Sequence, residues 1–570
     1  MQLSVPLRSG GKRHQNYAPG SYHVADEHST YSRLTVAVAG RTTQTDIAYS
    51  LLLLTVSLPL LLFNHGSQSL VGSDEGYYAQ MAREMVTSGQ WLAPTFLGDP
   101  YFEKPPLNQW LIAASYTLFG VSEWSARLPG ILAALMGVQL VYWIGRHQLG
   151  QRPALLGALV LATAYLWVHD GRTAAQDIPL ACLGLIGVGS LLAAERRPLF
   201  ALGWGLSLGA GVLLKSAAGL LAAIAVLPFL VFANRHHRLL HNPWLYVGLG
   251  LGGAGFGLWY WLATRAWGPL VYKGLFGTLG MLTRRDFHDV GPWYYLWNFP
   301  ANFFPWALFS LAGFVLLLKG DRQRFLLVWS YPLVLFGLLN LFTTKTPYYL
   351  LQVMPFAALL AGVALEYLWK RAHSRRSLHS WLSGLGGALG ALLLVAGITL
   401  LVQPRLLPDA VVYAPVAIGL GAGWVVMGLL FWQRRWLLRW MPWWMGALMG
   451  GPWLALAAAG LWSGLGDYNP GLKAFAARFP AHSPVDLVYE KTPDQVSDYI
   501  TLAFYTPVPG VSLTARQVHG TTAPYLVLSP ESALQLRRDY WPFEVMANYK
   551  DWVLVRKYVH MQPAIQPPAP

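Results

Sequence analysis

The sequence predicts an α-helical polytopic membrane protein that ends in a small α/β domain outside the bilayer. Three observations carry this reading. First, 54% of the residues are hydrophobic and only 12% are charged, against about 25% charged in an ordinary soluble protein. Second, thirteen apolar runs, at 47–63, 128–146, 151–168, 178–194, 198–214, 217–233, 244–264, 301–318, 325–342, 348–368, 380–402, 412–432 and 441–464, are long enough to cross a hydrocarbon core of about 30 Å. Third, the compact Lys/Arg clusters fall in alternate connections between these runs. A formal net charge of +15 would suggest nucleic acid in a soluble domain. Here the charge sits in short clusters beside apolar runs, so it orients spans and no nucleic-acid partner is expected. The 26 Trp and 28 Tyr suit side chains that anchor at bilayer interfaces. The one cysteine, Cys182, excludes an intrachain disulfide.

Residues 1–46 are polar, with Arg8, Lys12, Arg13, Arg33 and Arg41 and no apolar periodicity. They are expected to form a disordered cytoplasmic tail before an uncleaved first span. The run 107–119 (LNQWLIAASYTLF) is shorter and carries Asn108 and Gln109. If it does not span, the clusters at Arg146–Arg152, Arg196–Arg197, Arg235–Arg238, Lys319–Arg324, Lys370–Arg376 and Arg434–Arg439 all face the cytoplasm. That satisfies the positive-inside rule; a spanning 107–119 would invert every one of them. It is therefore expected to lie along the outer surface. The N-terminus is then inside, and a membrane domain covers 47–465, with a first outer loop at 64–127. From 466 to 560 short alternating runs such as VDLVYE and DWVLVRKY intersperse with helical patterns, which predicts an outer α/β domain. Residues 561–570 form a Pro-rich tail.

The polar residues at outer span ends and in outer loops are the candidates for chemistry. Asp74 and Glu75 open a helix-like segment directly after the first span. Acids there can simply cap the helix, but this segment lies where a lipid head group sits. Glu103 and Lys104 precede two prolines, a stiff turn that presents both charges. Asp177 opens a span, where an acid is costly unless it is paired or functional; Arg172 is one possible partner. Lys215 separates two apolar runs, Lys345 lies in another outer turn, and Arg284, Arg285, Asp286, His288 and Asp289 lie in a long outer loop. The predicted topology gathers these residues from six places onto one face. Acids beside cations fit a phosphate-bearing substrate: the cations hold the phosphate, and a carboxylate positions a group or acts as base.

With these motifs in view, the chain resembles the bacterial lipid A aminoarabinose transferases, relatives of the protein O-mannosyltransferases among the GT-C glycosyltransferases. The resemblance covers roughly 47–365. It rests on Asp74-Glu75, Tyr78, Arg83-Glu84-Met85, Tyr101 to Pro105, Ala126 to Pro129, Asp177, and His288 before Pro292 to Leu296. It implies a GT-C fold and transfer of a sugar, 4-amino-4-deoxy-L-arabinose in this branch, from undecaprenyl phosphate to a lipid A phosphate. That transfer is expected at the periplasmic face of the inner membrane, in line with lipopolysaccharide modification and polymyxin resistance. Two positions depart from the pattern: Tyr77 stands where the family often has Arg, and Lys345-Thr346-Pro347 replaces a Lys-Leu-Pro-type motif.

The combined expectation assigns Asp74, Asp177 and Glu103 to catalysis. Lys104, Tyr78, Tyr101, Lys215, Lys345 and Glu75 bind donor phosphate or lipid. Glu103 with His288 is the candidate pair for a divalent metal ion. Two other readings stay open: a same-fold enzyme with another sugar or a protein or glycolipid acceptor, and a transporter of a lipid-linked sugar.

Overall fold

A computed structural model describes residues 43–282, 290–371, 376–435, 440–461, 467–489 and 493–558. Residues 1–42 of the expected tail, His288 with its loop neighbours 283–289, and the Pro-rich end lie outside the described residues.

Within the described residues, each of the thirteen apolar runs is mainly helical. In chain order the helices are α1 (Gln44–Leu62), α2 (Asp74–Ser88), α3 (Leu107–Phe119), α4 (Glu123–Leu149), α5 (Gln151–Ala162), α6 (Tyr165–Gly171), α7 (Asp177–Ala194), α8 (Leu202–Lys215), α9 (Leu221–Phe232) and α10 (Pro243–Trp267). They continue with α11 (Pro269–Leu282), α12 (Tyr294–Asn302), α13 (Trp306–Lys319), α14 (Leu326–Leu341), α15 (Met354–Lys370), α16 (Arg376–Val402), α17 (Ala414–Trp432) and α18 (Trp440–Leu461). Among the described residues, six helical segments are long and apolar enough to cross a membrane by length and composition alone, or up to eight if two bent pairs each count as one span. The pairs α5–α6 and α12–α13 bend by 60° and 109°. Helix α3 has 13 residues, about 20 Å at the usual rise, too short for a hydrocarbon core. It packs between α2 and α4.

Two local features position the bundle. Asp46, in the first turn of α1, is fully buried. It pairs with Arg146 Nε at 2.6 Å and accepts from the Tyr142 hydroxyl at 2.6 Å, so the start of α1 is held to the end of α4. Helices α8 and α10 pack through glycines: a Cβ on Gly205 would lie 2.0 Å from the Gly248 carbonyl carbon. Only a hydrogen side chain permits this approach, the usual device of membrane helix pairs. The two runs separated by Lys215 do not form one straight rod. Ser216 has φ +49°, and Gly219 folds back against Gly211.

The C-terminal region is a mixed sheet with helices. A two-residue ribbon, β1 (Thr95–Phe96) and β2 (Asp99–Pro100), belongs to the first loop. The domain itself contains α19 (Pro470–Ala476), β3 (Val485–Val488), α20 (Pro493–Tyr505), β4 (Pro509–Leu513), β5 (Tyr525–Leu528), α21 (Pro530–Arg538), β6 (Phe543–Tyr549) and β7 (Trp552–Lys557). The sheet order is β4-β3-β5-β7-β6. Strand β3 runs parallel to β4 and β5, and β7 runs antiparallel to β5 and β6. This domain is clamped to the first loop. Arg83 donates to the carbonyls of Phe504 at 2.8 Å, Thr506 at 2.9 Å and Pro507 at 2.5 Å. The Tyr505 hydroxyl donates to Glu123 at 3.1 Å and accepts from the Leu70 N–H at 2.9 Å.

Candidate active site

The site is assembled from the ends of helices and the turns beside them. Asp74 is the first residue of α2, and Tyr78 follows one turn later on the same face. The turn at 101–106 brings Lys104 to both. Its Nζ lies 3.0 Å from Asp74 Oδ2 and donates to the Tyr78 hydroxyl at 2.6 Å. The prolines at 105 and 106 fix this approach, since each locks its own φ and restricts the residue before it. Asp177 opens α7 and Lys215 closes α8, with Lys215 Nζ 2.6 Å from Asp177 Oδ1. An acid at a helix start and a cation at a helix end also suit the two helix dipoles. Above Lys215 stand the rings of Tyr348 and Tyr349, at 5.2 and 5.5 Å from its Nζ.

The two ion pairs are neighbours. Burial alone would raise the Asp74 carboxyl, but the ammonium groups of Lys104 and Lys215 outweigh it and hold it below the usual carboxylate range. Burial, and then the Asp74 carboxylate, push the Tyr78 phenol well above its ordinary value, so it stays a neutral hydroxyl. The pairs differ in access. Asp74 is crowded on most sides, yet its side chain keeps 42% of its exposure and Lys104 keeps 20%. Asp177 and Lys215 keep 7% and 10%. The first pair therefore borders open space and the second lies beneath it.

The remaining expected site residues fall in different places. Glu75 does not join this cluster. It is 2% exposed, and its carboxylate accepts from Arg127 Nε at 2.7 Å, Arg127 Nη2 at 3.2 Å, the Val71 N–H at 2.7 Å and the Ala174 N–H at 3.1 Å. The expectation that it touches substrate is corrected to a buried lock, because these four donors occupy it. Arg172 is not the partner of Asp177. It donates to the carbonyls of Leu60 and Phe63, and Lys215 takes the acid instead. Glu84 accepts from Thr95, Leu97 and Gly98, so it braces the β1–β2 ribbon that leads to Lys104.

Tyr101 donates to Glu103 at 3.1 Å, and Glu103 is exposed. Lys345 is 6% exposed and donates to the Phe342 carbonyl at 2.7 Å, with no ion pair among the described residues. Of the expected metal pair, Glu103 is described and His288 is not. Among the described residues no group of three His, Cys, Asp or Glu side chains gathers as a metal site. The sequence carries little that marks Tyr348 and Tyr349. Their only signal was adjacency to the Lys345-Thr346-Pro347 turn.

Known proteins share this framework. The family model for dolichyl-phosphate-mannose-protein mannosyltransferase matches residues 103–261. An undecaprenyl phosphate-α-4-amino-4-deoxy-L-arabinose arabinosyl transferase of Edwardsiella ictaluri is 31% identical over 351 residues, covering 57% of this chain and 62% of that relative's length. The enzyme of the same name from Pseudomonas aeruginosa strain LESB58 is 30% identical over 408 residues, covering 68% of this chain and 72% of its own. Among solved structures, the crystal structure of ArnT from Cupriavidus metallidurans bound to undecaprenyl phosphate aligns with a TM-score of 0.72. It has 22% identity and covers 90% of this chain and 98% of that one.

The fold is thus that of the GT-C class of membrane glycosyltransferases, with a small sheet domain at its C-terminal end. Within that class the chain belongs to the family of undecaprenyl phosphate-α-4-amino-4-deoxy-L-arabinose arabinosyl transferases.

Proposed function

We propose that this protein transfers 4-amino-4-deoxy-L-arabinose from undecaprenyl phosphate to a phosphate of lipid A, at the periplasmic face of the bacterial inner membrane. The observation that supports this best is the adjacency of two acid–lysine pairs, Asp74–Lys104 and Asp177–Lys215, at the open end of the bundle. A phosphate arriving there competes with each carboxylate for its lysine. As Lys104 and Lys215 turn to the donor phosphate, Asp74 is released to orient the acceptor. The attacking acceptor oxygen forms a bond to the anomeric carbon while the bond from that carbon to the donor phosphate oxygen breaks. The electron pair leaves on undecaprenyl phosphate, where the two ammonium groups stabilise it. A phosphate acceptor is already ionised, so Asp74 positions it and need not remove a proton. The reaction inverts the anomeric centre if the acceptor approaches opposite the leaving phosphate. Glu103, exposed at the rim beside Lys104, is the group offered to the acceptor or to a divalent ion.

The test is transfer by purified protein carrying Asp74→Asn or Lys104→Ala, with thermal stability measured alongside. A loss of about 10²–10³ in kcat for each, at unchanged stability, supports the reading. Near wild-type turnover in both variants removes the site assignment.

A further inference from the structure

The two tyrosines over Lys215 belong to a turn that is held from behind. They lie in a 3₁₀ segment, Pro347–Gln352, that packs on α7 and α12. Pro347 disfavours the helical region for Thr346, which is extended at φ −134° and ψ 153°. In an extended residue the N–H and the C=O point to the same side, as they do towards a strand neighbour. Here both meet one hydroxyl. Tyr295 donates to the Thr346 carbonyl at 3.1 Å and accepts from the Thr346 N–H at 3.3 Å.

Tyr295 is itself held by packing. It is 0% exposed in the first turn of α12. Its ring centroid lies 5.1 Å from that of Tyr294 and 6.4 Å from that of Phe336 on α14, within the main core of the bundle. A phenylalanine would meet the same packing; the two bonds to Thr346 are what the hydroxyl adds. The consequence falls on Lys215. Its Nζ lies 5.2 and 5.5 Å from the ring centroids of Tyr348 and Tyr349, within the range of a cation–π contact, and 2.6 Å from Asp177. When a donor phosphate draws Lys215 away from Asp177, the two rings still fix the ammonium.

We infer that Tyr295 is a positioning residue for the donor phosphate. Its hydroxyl pins the Thr346 backbone, the pinned turn sets Tyr348 and Tyr349 over Lys215, and the ammonium is thereby aimed at the phosphate. Tyr295 is buried and acts only through these rings. This inference rests on the proposed transferase reading.

The experiment uses purified full-length protein in lipid nanodiscs, with undecaprenyl phosphate-4-amino-4-deoxy-L-arabinose as donor and bis-phosphorylated lipid A as acceptor. Tyr295→Phe keeps the ring and removes both bonds. The expected result is a donor KM raised about fivefold to tenfold, with acceptor KM unchanged and the thermal midpoint lowered by no more than about 3 °C. The same change is then made in a protein carrying Tyr348→Leu and Tyr349→Leu, where it should raise donor KM by less than about twofold further. If that protein misfolds, Tyr348→Leu or Tyr349→Leu alone serves, and the effect of Tyr295→Phe should shrink there too. An unchanged donor KM, equal rises in both KM values, or an undiminished effect without the rings overturns the assignment. If the wild-type protein transfers nothing, the function reading has failed. Binding of undecaprenyl phosphate then judges the pin separately: about fivefold weaker binding by Tyr295→Phe upholds it, and equal binding overturns it.

Discussion

Replacing Glu75 with Gln separates a structural acid from a substrate-binding one. Glu75 and Arg127 keep only 2% and 3% of their side-chain exposure. Arg127 also donates to the carbonyls of Gln68 at 3.0 Å and Ser69 at 2.9 Å, and to that of His65. The pair thereby ties the chain after α1 to the start of α4 and, through the Ala174 N–H, to the approach to Asp177. Glu75→Gln keeps the shape but removes the charge. Arg127 is left as a buried cation, and one of the four donors now meets an amide N–H. Breaking a buried pair from one side costs about 3–5 kcal/mol, which for a chain of this size lowers the thermal midpoint by roughly 3 °C. Unfolding followed by tryptophan fluorescence in detergent reads this. Donor KM of the folded fraction stays at the wild-type value. The double change Glu75→Leu with Arg127→Met does not recover the loss, because it takes the side-chain partners from the Val71 and Ala174 N–H groups and from the His65, Gln68 and Ser69 carbonyls. A wild-type midpoint for Glu75→Gln together with a tenfold higher donor KM would refute the lock and return Glu75 to the substrate.

Other outcomes follow from the same geometry. The Asp74 carboxyl is held below the usual range by two lysines, so it is ionised throughout the range above about pH 4 and its pairing contributes stability there, lost only on further acidification. A rate profile should therefore stay flat with respect to Asp74 down to that region. In Lys104→Ala, which retains one of the two cations, the acid limb should move to higher pH; an unmoved limb would show that Asp74 does not govern it. Arg83→Ala removes three hydrogen bonds to the C-terminal domain and should speed limited proteolysis within 467–558 while the bundle stays intact. Equal cleavage rates would contradict the clamp. Gly205→Val places carbon 2.0 Å from the Gly248 backbone and should reduce the yield of folded protein in size-exclusion profiles, with normal yield contradicting the close helix contact.

Much of the site was legible in the sequence because topology is written in composition. Charge alternation demoted 107–119 to the surface, and that placement put Asp74, Lys104, Asp177 and Lys215 on one face. The structure joins these four. Their pairings were not legible: Asp177 and Lys215 are 38 residues apart, and only the helix-end geometry selects Lys215 over the nearer Arg172. Adjacent acids also looked equivalent. Asp74 and Glu75 diverge because successive helix positions point about 100° apart, one to the open cluster and one to Arg127. The motif Arg83-Glu84 carries a family signal, yet its work is architectural, docking the C-terminal domain and bracing the ribbon before Lys104. The role of Tyr348 and Tyr349 is not legible in the sequence because aromatic residues at a span start are ordinary interfacial anchors, and only packing sets them over Lys215.

The most direct test of the account is mass spectrometry of lipid A incubated with purified protein and undecaprenyl phosphate-4-amino-4-deoxy-L-arabinose, run beside Asp74→Asn and Lys104→Ala proteins of wild-type stability. The expected result is one aminopentose added to a lipid A phosphate by the wild type and almost none by either variant. Unmodified lipid A with the wild type, or equal modification by all three proteins, would contradict it.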